Sequence, residues 1–221
     1  AAPQLVTIDT TAPTTTLTID SITDDTGVST TDFITTDNNG LTIGATLSTA
    51  LVTGEILEYS NDDGVTWTDI TSSVSGTAIS HVDGALTSTE TVHIRVTDTA
   101  GNSGSADTQL VTVDTSASAT ITVDAITADD VVNATEDDGN INVTGSVGGD
   151  AATGDTVTFT NNSQPYSGTV DGSGNFSVVV AGSDLAADTS FDATVTGTDT
   201  AGNAFTATTT STHTVDTSAS A

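Results

Sequence analysis

The sequence predicts an all-β protein made of two tandem antiparallel β-sandwiches, and three observations support this prediction. Short phrases recur at a spacing of about one hundred residues. Apolar residues alternate with polar ones, which is the period of a half-buried strand and not the 3.6-residue period of a helix. Clusters of Asp, Asn, Gly and Ser, which favour turns, separate the alternating runs.

The repeat is visible in three sets of phrases that keep their order along the chain. These phrases are V-T-I-D-T-T-A (6–12), V-T-V-D-T-S-A (111–117) and H-T-V-D-T-S-A (213–219); L-T-I-D-S-I-T (17–23) and I-T-V-D-A-I-T (121–127); and D-T-A-G-N (98–102 and 199–203). The aspartates of the first set, Asp9, Asp114 and Asp216, lie 105 and 102 residues apart. This spacing predicts two copies of one module, residues 1–114 and 115–221, each of the size of an immunoglobulin-like domain.

Strand patterns occur at equivalent positions of the two modules. Leu41, Ile43, Ala45 and Leu47 alternate with threonine and glycine, and residues 141–147 repeat the pattern. The 51 threonines are β-branched and half-polar, which suits the solvated face of an antiparallel sheet. We therefore expect each module to be an immunoglobulin-like sandwich of about seven strands in a Greek-key arrangement.

The charge of the chain excludes several classes of function. Thirty carboxylates face one cationic side chain, Arg95, so the formal net charge is −29. Nucleic acid and anionic membrane surfaces are excluded as partners because binding them needs clustered Lys and Arg. The charge divides evenly, with 16 carboxylates and Arg95 in residues 1–114 and 14 carboxylates in residues 115–221. A folded chain this acidic repels itself, so compensating cations are expected.

Aspartate outnumbers glutamate by 26 to 4, and its placement predicts calcium sites at the ends of the modules. In such a sandwich, the loop after the first strand meets the linker that follows the last strand at one pole; in the first module this loop contains Asp20, Asp24 and Asp25, and the linker carries Asp114. The loop between the last two strands of the next module, with Asp199, faces them, so three acidic segments are expected to converge there. By the same argument, Asp9 and Asp98 lie together at the front of the first module, and the acidic loop after the first strand of the second module lies near Asp216. The twelve candidate ligands are Asp9, Asp20, Asp24, Asp25, Asp98, Asp114, Asp124, Asp129, Asp130, Glu136, Asp199 and Asp216. The alternative is that these carboxylates only cap turns and keep the surface soluble.

Features of an enzyme are missing from the sequence. Cysteine is absent, which removes disulfides, thiolate metal sites and a cysteine nucleophile. His81, His93 and His213 lack the spacing of metal ligands, and no G-x-S-x-G elbow occurs. We therefore expect a protein without catalytic activity. No stretch of about twenty apolar residues is present, so direct membrane insertion is not expected either.

Several phrases together resemble the bacterial immunoglobulin-like repeats of giant biofilm adhesins. They are I-T-A-D-D-V-V-N-A-T-E (126–136), T-G-D-T-V (153–157), G-S-D-L-A-A-D (182–188), D-T-A-G-N (199–203) and the closing T-V-D-T, with a second subtype in the first module that contains Y-S-N-D-D-G-V-T-W-T (59–68). The resemblance implies repeats strung in large numbers, exported by type I secretion to the cell surface, with Ca²⁺ stiffening the joints. It also implies that Asp114 and Asp199 lie at the inner junction and that Asp130 and Glu136 belong to the acidic loop.

Three functions remain open on the sequence alone. The first is a spacer whose partners are neighbouring repeats of the same chain, as a monomer. The second is a module that binds sugar, ice or a cell surface through threonine faces or the Trp67 hairpin. The strands look too irregular for the flat threonine array that ice requires. The third is an accessory domain pair of a secreted enzyme.

Overall fold

The computed structural model describes residues 7–218, which divide into two compact units. The first comprises the residues up to Thr115 together with Thr200–Gly202, and the second comprises Ser116–Asp199 and the residues from Asn203 onward. The prediction of an all-β fold is confirmed, because both units consist of β-sheets around an apolar core.

In the first unit the strands form two sheets. The strands are β1 (Leu17–Ile22), β2 (Ile34–Thr35), β3 (Leu41–Leu47), β4 (Glu55–Ser60), β5 (Thr68–Asp69), β6 (Val74–Ser75), β7 (Ala78–Asp83), β8 (Glu90–Asp98) and β9 (Asp107–Val113), with a 3-10 turn at Thr71–Ser73. One sheet has the order β1-β3-β7-β6 and the other β2-β9-β8-β4-β5. Pairing is antiparallel except between β2 and β9, which run parallel.

The second unit has a related arrangement. Its elements are β10 (Ala119–Val123), β11 (Val131–Asn133), α1 (Ala134–Asp137), β12 (Asn140–Gly149), β13 (Thr156–Asn161), β14 (Gln164–Thr169), β15 (Asn175–Ala181), α2 (Gly182–Ala187), β16 (Ser190–Thr198), β17 (Ala204–Thr212) and β18 (Thr214–Asp216). The sheets have the orders β10-β12-β15, β14-β13-β16-β17 and β11-β18. Here β11 and β18 form the parallel pair.

Strand alternation decides which side chains enter the core. Leu41, Ile43, Ala45 and Leu47 on β3 are at most 4% exposed, whereas the residues that alternate with them are partly or fully exposed. On the opposite sheet, Leu57 of β4 and Ile94 of β8 are completely buried. The predicted alternation of β3 is therefore confirmed, and the second unit repeats it on β12.

Two features of the fold differ from the expectation of antiparallel strands alone. The segments Ile34–Thr35 and Val131–Asn133 add a short parallel pairing with the last strand of their unit. The acidic segment 182–188 contains the short helix α2, in which only Gly182 and Leu185 are buried. Within residues 7–218, no helix is long and apolar enough to cross a membrane.

The leucine pair Leu57 and Leu110 provides a test of the first core. Leu57→Ala removes a fully buried side chain, so we expect a loss of about 2–5 kcal/mol in the free energy of unfolding. Leu110 is 53% exposed, so Leu110→Ala should change this energy by less than about 0.5 kcal/mol. Trp67 is the only tryptophan, so its fluorescence during urea unfolding reports on the first unit. Equal losses in both variants would contradict the assigned core.

Candidate metal centres

The repeated phrase D-T-A-G-N forms the same turn in both units. Asp98 Oδ1 accepts hydrogen bonds from the backbone N–H of Ala100 and of Asn102, at 2.8 and 2.9 Å. Its Oδ2 accepts from Asn102 Nδ2 at 2.9 Å. Asp199 accepts from the backbone and side chain of Asn203 in the same way, at 2.8 and 2.9 Å. These bonds, with the side chain of Asn102 contributing most, hold the pKa of Asp98 below its usual value.

Asp98 also lies beside Asp9, as the sequence predicted for the first end of the chain. Both residues line a cavity of about 380 Å³ in the first unit, and Glu55 lines it too. Asn102 joins the two segments, because its Nδ2 donates to Asp9 O at 3.2 Å. The sequence analysis missed Glu55, although its phrase T-G-E (53–55) matches T-G-D (153–155) of the second module.

Asp20 and Asp124 are held by the neighbouring strand. The placement of Asp20 in the loop after the first strand is wrong, because Asp20 lies within β1. Its Oδ2 accepts from Thr46 Oγ1 of β3 at 2.6 Å. Asp124 directly follows β10 and accepts from Thr144 Oγ1 of β12 at 2.8 Å. The two carboxylates therefore have equivalent cross-strand partners in the two units.

The loop between β1 and β2 contains a carboxylate oxygen that is buried and lacks a partner. Asp25 Oδ2 accepts from the backbone N–H of Phe33 at 3.0 Å. Within residues 7–218, Asp25 Oδ1 has no hydrogen-bond partner and is shielded from solvent. Burial raises the pKa of Asp25, and the nearby Asp32 carboxylate raises it further. Asp24, beside it, has a positive φ of 56° and accepts from Thr35 Oγ1 through its carbonyl oxygen at 2.5 Å.

In the second unit, the pairing of β11 with β18 gathers several candidates. Asn133 pairs with Asp216, and the carbonyl of Asp130 accepts from the backbone N–H of Thr214 at 3.0 Å. Glu136 Oε2 accepts from the backbone N–H of Asn133 at 3.0 Å and so closes a capping box at the start of α1. This end of the unit thus holds candidate residues from two segments that are distant in sequence.

The carboxylates of this region also have local roles. Asp129 Oδ1 accepts from Thr127 Oγ1 at 3.0 Å. Asp130 Oδ1 accepts from the backbone N–H of Ile126 at 3.0 Å, and Asp216 Oδ1 accepts from the backbone N–H of Ser218 at 3.1 Å. Each of these bonds shapes a turn, as the alternative interpretation of the aspartates expects.

No group of three or more His, Asp or Glu side chains is arranged to hold a metal ion among the described residues. Asp114 follows β9, and its backbone N–H donates to Thr35 O at 2.9 Å. The expected convergence of Asp25 and Asp114 with Asp199 combines residues of the two units and stays a prediction. Carboxylate oxygens are the ligands that Ca²⁺ prefers, and the unpartnered oxygen of Asp25 is of this type.

The acidic hairpin at residues 60–67 is stabilised by its own side chains. Asp62 accepts from the backbone N–H and the hydroxyl of Thr66, at 2.8 and 2.6 Å, and from Ser60 Oγ at 2.7 Å. The hydrogen bond from the Thr66 hydroxyl contributes most to the drop in the pKa of Asp62 to about 2. The guanidinium of Arg95 lies 3.7 Å from the centre of the Trp67 ring and covers one of its faces. That face is closed to a stacked sugar.

Threonines form regular rows on one sheet of the second unit, contrary to the irregularity inferred from the sequence. Thr196 lies opposite Thr156 on one side and Thr206 on the other. Thr194 likewise pairs with Thr158 and Thr208. Neighbouring strands are about 4.8 Å apart, so the rows form a hydroxyl lattice.

Comparisons with known proteins place the chain among domains of large adhesins. No family model and no curated protein sequence matches it. A bacterial immunoglobulin-like domain from the M. primoryensis ice-binding adhesin is 57% identical over 46% of this chain and all of that domain, with a TM-score of 0.45. Two further similar structures also come from work on ice-binding adhesins.

The first is a structure of a 1.5-MDa bacterial ice-binding adhesin that bears on how the adhesin is retained on its host cell surface. The protein in this structure is 37% identical over 92% of this chain, with a TM-score of 0.55. The second is a Ca²⁺-stabilised adhesin that helps an Antarctic bacterium reach out and bind ice, 37% identical over 96% of this chain, with a TM-score of 0.52. This chain spans 65% and 51% of their respective lengths.

The hairpin of Asp62 should make the first unit sensitive to acid. In the folded protein the pKa of Asp62 is about 2, below the ordinary 3.8. The stability that the Asp62 carboxylate contributes is therefore present above about pH 4 and is lost as the pH falls towards 2. Asp62→Asn should therefore lower the urea midpoint at pH 5 and flatten its decrease between pH 4 and 2. Asp63→Asn, next to it, is the control. An unchanged pH profile in Asp62→Asn would contradict the assignment.

Proposed function

Because the chain belongs to the bacterial immunoglobulin-like repeats of large adhesins, we propose that it is a pair of spacer modules stabilised by Ca²⁺ at their ends. Residues 1–114 and 115–221 are the two modules of this proposal. The observation that carries it is the buried, unpartnered oxygen of Asp25, in a loop where the Asp32 carboxylate is close enough to raise its pKa. A shielded carboxylate oxygen with a second carboxylate nearby is stabilised by a cation.

Calcium fits the donor chemistry of these ends better than magnesium does. Ca²⁺ accepts six to eight oxygens in flexible geometry, whereas Mg²⁺ demands a regular octahedron of shorter bonds. At the inner junction, Asp25 would bind the ion together with Asp114 and Asp199. The candidates Asp20 and Asp24 would contribute charge or carbonyl oxygens nearby, and Asp124 would do so at the far end of the second module.

The two outer ends would have analogous sites. Asp9 and Asp98 line one cavity, and Glu55 supplies a third carboxylate there. At the other end, Asp130 and Glu136 belong to the region in which β11 pairs with Asp216, and Asp129 precedes Asp130. Each outer site would be completed by the neighbouring repeat of a longer chain.

Calcium would supply two effects when bound. It would offset part of the net charge of −29, which opposes compaction. It would also favour the folded state, because the unfolded chain does not hold the carboxylates in place. The chain's own residues contribute the rest, since the D-T-A-G-N turns fix Asp98 and Asp199 through their asparagines before any ion binds.

A spacer of this kind would act outside the cell. We infer a position on the bacterial surface after type I secretion, where a string of repeats, in a biofilm for example, holds a distal adhesive region away from the cell. Its direct partners would be neighbouring repeats, and the chain would be monomeric and without catalytic activity. The similar proteins are adhesin domains, and one of them is Ca²⁺-stabilised.

Removing calcium should destabilise the chain and change its dimensions. Binding at one hundred times Kd stabilises a fold by about 2.7 kcal/mol. Chelation should therefore lower the melting temperature by about 10–20 °C and reduce the maximum dimension measured by small-angle scattering. Calcium should restore both values, and magnesium should not.

The matched variants for this experiment are Asp25→Asn and Asp37→Asn. Both remove one carboxylate from the first unit, but Asp37 is not a candidate ligand and accepts from the backbone N–H of Asn39. Only Asp25→Asn should weaken the response to calcium. Identical melting temperatures with and without chelator would refute calcium as the stabilising ion.

The threonine rows of the second unit favour ice as a second candidate function. Thr194 and Thr208 share a hydrogen bond of 2.9 Å, so the array is pre-ordered. If the face binds ice, the chain should shape ice crystals and depress their growth temperature, and Thr196→Asp should abolish both effects. Thr18→Asp makes the same change on an exposed position of the first unit and should leave them intact. Ice that grows unaltered in the presence of the wild-type chain would exclude this function.

A further inference from the structure

Strand β7 of the first unit places two polar residues on the face that should be apolar. His81 lies opposite Ile43, and Asp83 lies opposite Leu41, so both share the core-facing side of the sheet. Asp83 is 8% exposed, and His81 is half-buried against the ring of Tyr59, with 4.6 Å between ring centres. A break in the hydrophobic pattern at two successive inward positions costs stability and is typical of a functional site.

The second unit shows that the fold does not need these polar residues. Its strand β15 makes the corresponding pairing with β12, in which Val178 lies opposite Val143 and Val180 lies opposite Ile141. Both valines are buried, at 3% and 0% exposed. The module thus closes its core with valine where the first unit has His81 and Asp83.

The opposing sheet also has a polar group in the first unit where the second unit has an apolar one. Tyr59 on β4 corresponds to Phe159 on β13, since each begins the matching phrase at the end of its strand, Y-S-N (59–61) and F-T-N (159–161). Only the first unit has a hydroxyl there, and Tyr59 uses it to donate to Asp83 Oδ2 at 2.8 Å. Three positions have therefore become polar together in one module.

Asp83 is well hydrogen-bonded but has no counter-charge. Asn61 Nδ2 also donates to Oδ2 at 2.9 Å, and the backbone N–H of Ala85 donates to Oδ1 at 2.8 Å. All three donors are neutral. Arg95, the only Lys or Arg of the chain, donates to Glu58 instead, at 2.8 Å. Burial lowers the pKa of His81, although Asp83 opposes this, and so favours the neutral imidazole.

A cavity of about 230 Å³ opens onto this group. Besides the three polar residues, its walls include the hydroxyl-bearing Thr68 and the aliphatic Val82. The cavity is therefore a small recess with one buried negative charge, two aromatic rings and hydroxyl groups. A buried, uncompensated charge beside aromatic faces is the environment in which an organic cation is bound.

We propose that this recess binds a primary alkylammonium group, such as a lysine side chain of another molecule. An ammonium has three donors for the carboxylate, the imidazole and a hydroxyl, and its alkyl chain can pack on the aromatic rings that line the recess. Calcium fits less well, because Ca²⁺ takes six to eight oxygen ligands and Asp83 is the one carboxylate among the residues that line the recess. The chain itself has no lysine, so the group must come from elsewhere. This proposal does not depend on the spacer function.

The test is a titration of the ¹⁵N-labelled 221-residue chain with n-butylammonium chloride, in 150 mM NaCl and saturating calcium. We expect saturable amide shifts confined to residues near Asn61, Val82 and Ala85. The decisive variant restores the apolar residues of the second unit through Tyr59→Phe, His81→Val and Asp83→Val. It should keep its fold and bind at least about tenfold more weakly. Asp63→Asn removes an exposed carboxylate of the same unit and should bind as the wild type does.

Several results would overturn the proposal. Shifts that rise linearly and spread over many carboxylates would show charge screening only. Equal shifts with methyl β-D-glucoside would identify the recess as a site for a neutral polyol, and equal shifts with n-butanol would identify a merely apolar site. Unchanged affinity in the triple variant, with its spectrum still that of a folded protein, would place ammonium binding elsewhere.

Discussion

The shortage of cations is the constraint on which most of this structure depends. With one arginine for thirty carboxylates, ion pairs cannot neutralise the acidic side chains. They are held by neutral donors, which are backbone N–H groups in tight turns and the hydroxyls of threonine. Asp62 with Thr66 and Asp20 with Thr46 are two examples. The abundance of threonine and asparagine therefore has an electrostatic reason in addition to the preference of threonine for strands.

This arrangement satisfies hydrogen bonds but leaves the net charge in place. Where donors suffice, as around Asp62, the pKa of the carboxyl falls and the charged form is stable. Where a carboxylate is buried and short of donors, as at Asp25, the pKa rises. The two cases separate turn-forming aspartates from those that gain most from a metal ion, a distinction that composition does not make.

Periodicity and repeats predicted the sheets well because both are local properties of the chain. The burial of Leu41 and Ile43 follows directly from alternation. The parallel pairing of β2 with β9 could not be predicted, since two residues carry no periodic signal and their partner lies far along the chain. Helix α2 was not predicted for a related reason, because six residues are too few to show a helical stripe of apolar residues.

The candidate site was predicted less completely. The sequence joined Asp9 to Asp98 through their position in the repeat, and the structure places both on one cavity. It missed Glu55 and Asp32, whose proximity to the other carboxylates arises only from folding. It also placed Asp20 in a loop, because the apolar pattern of β1 does not reveal where the strand ends. The polar recess at Asp83 could be recognised only from the strand registers of both units, because these registers show that the same positions carry valine in the second module.

The isolation of Arg95 has a consequence for how the chain withstands digestion. A protease that cuts after basic residues finds a single bond in the sequence, between Arg95 and Val96. That bond lies within β8, which pairs with β4 on one side and β9 on the other, and the guanidinium is bonded to Glu58 and stacked on Trp67. Cleavage there requires the first unit to open. The second unit offers such enzymes no bond at all, whether folded or unfolded, so it would survive as a single peptide where such proteases are abundant.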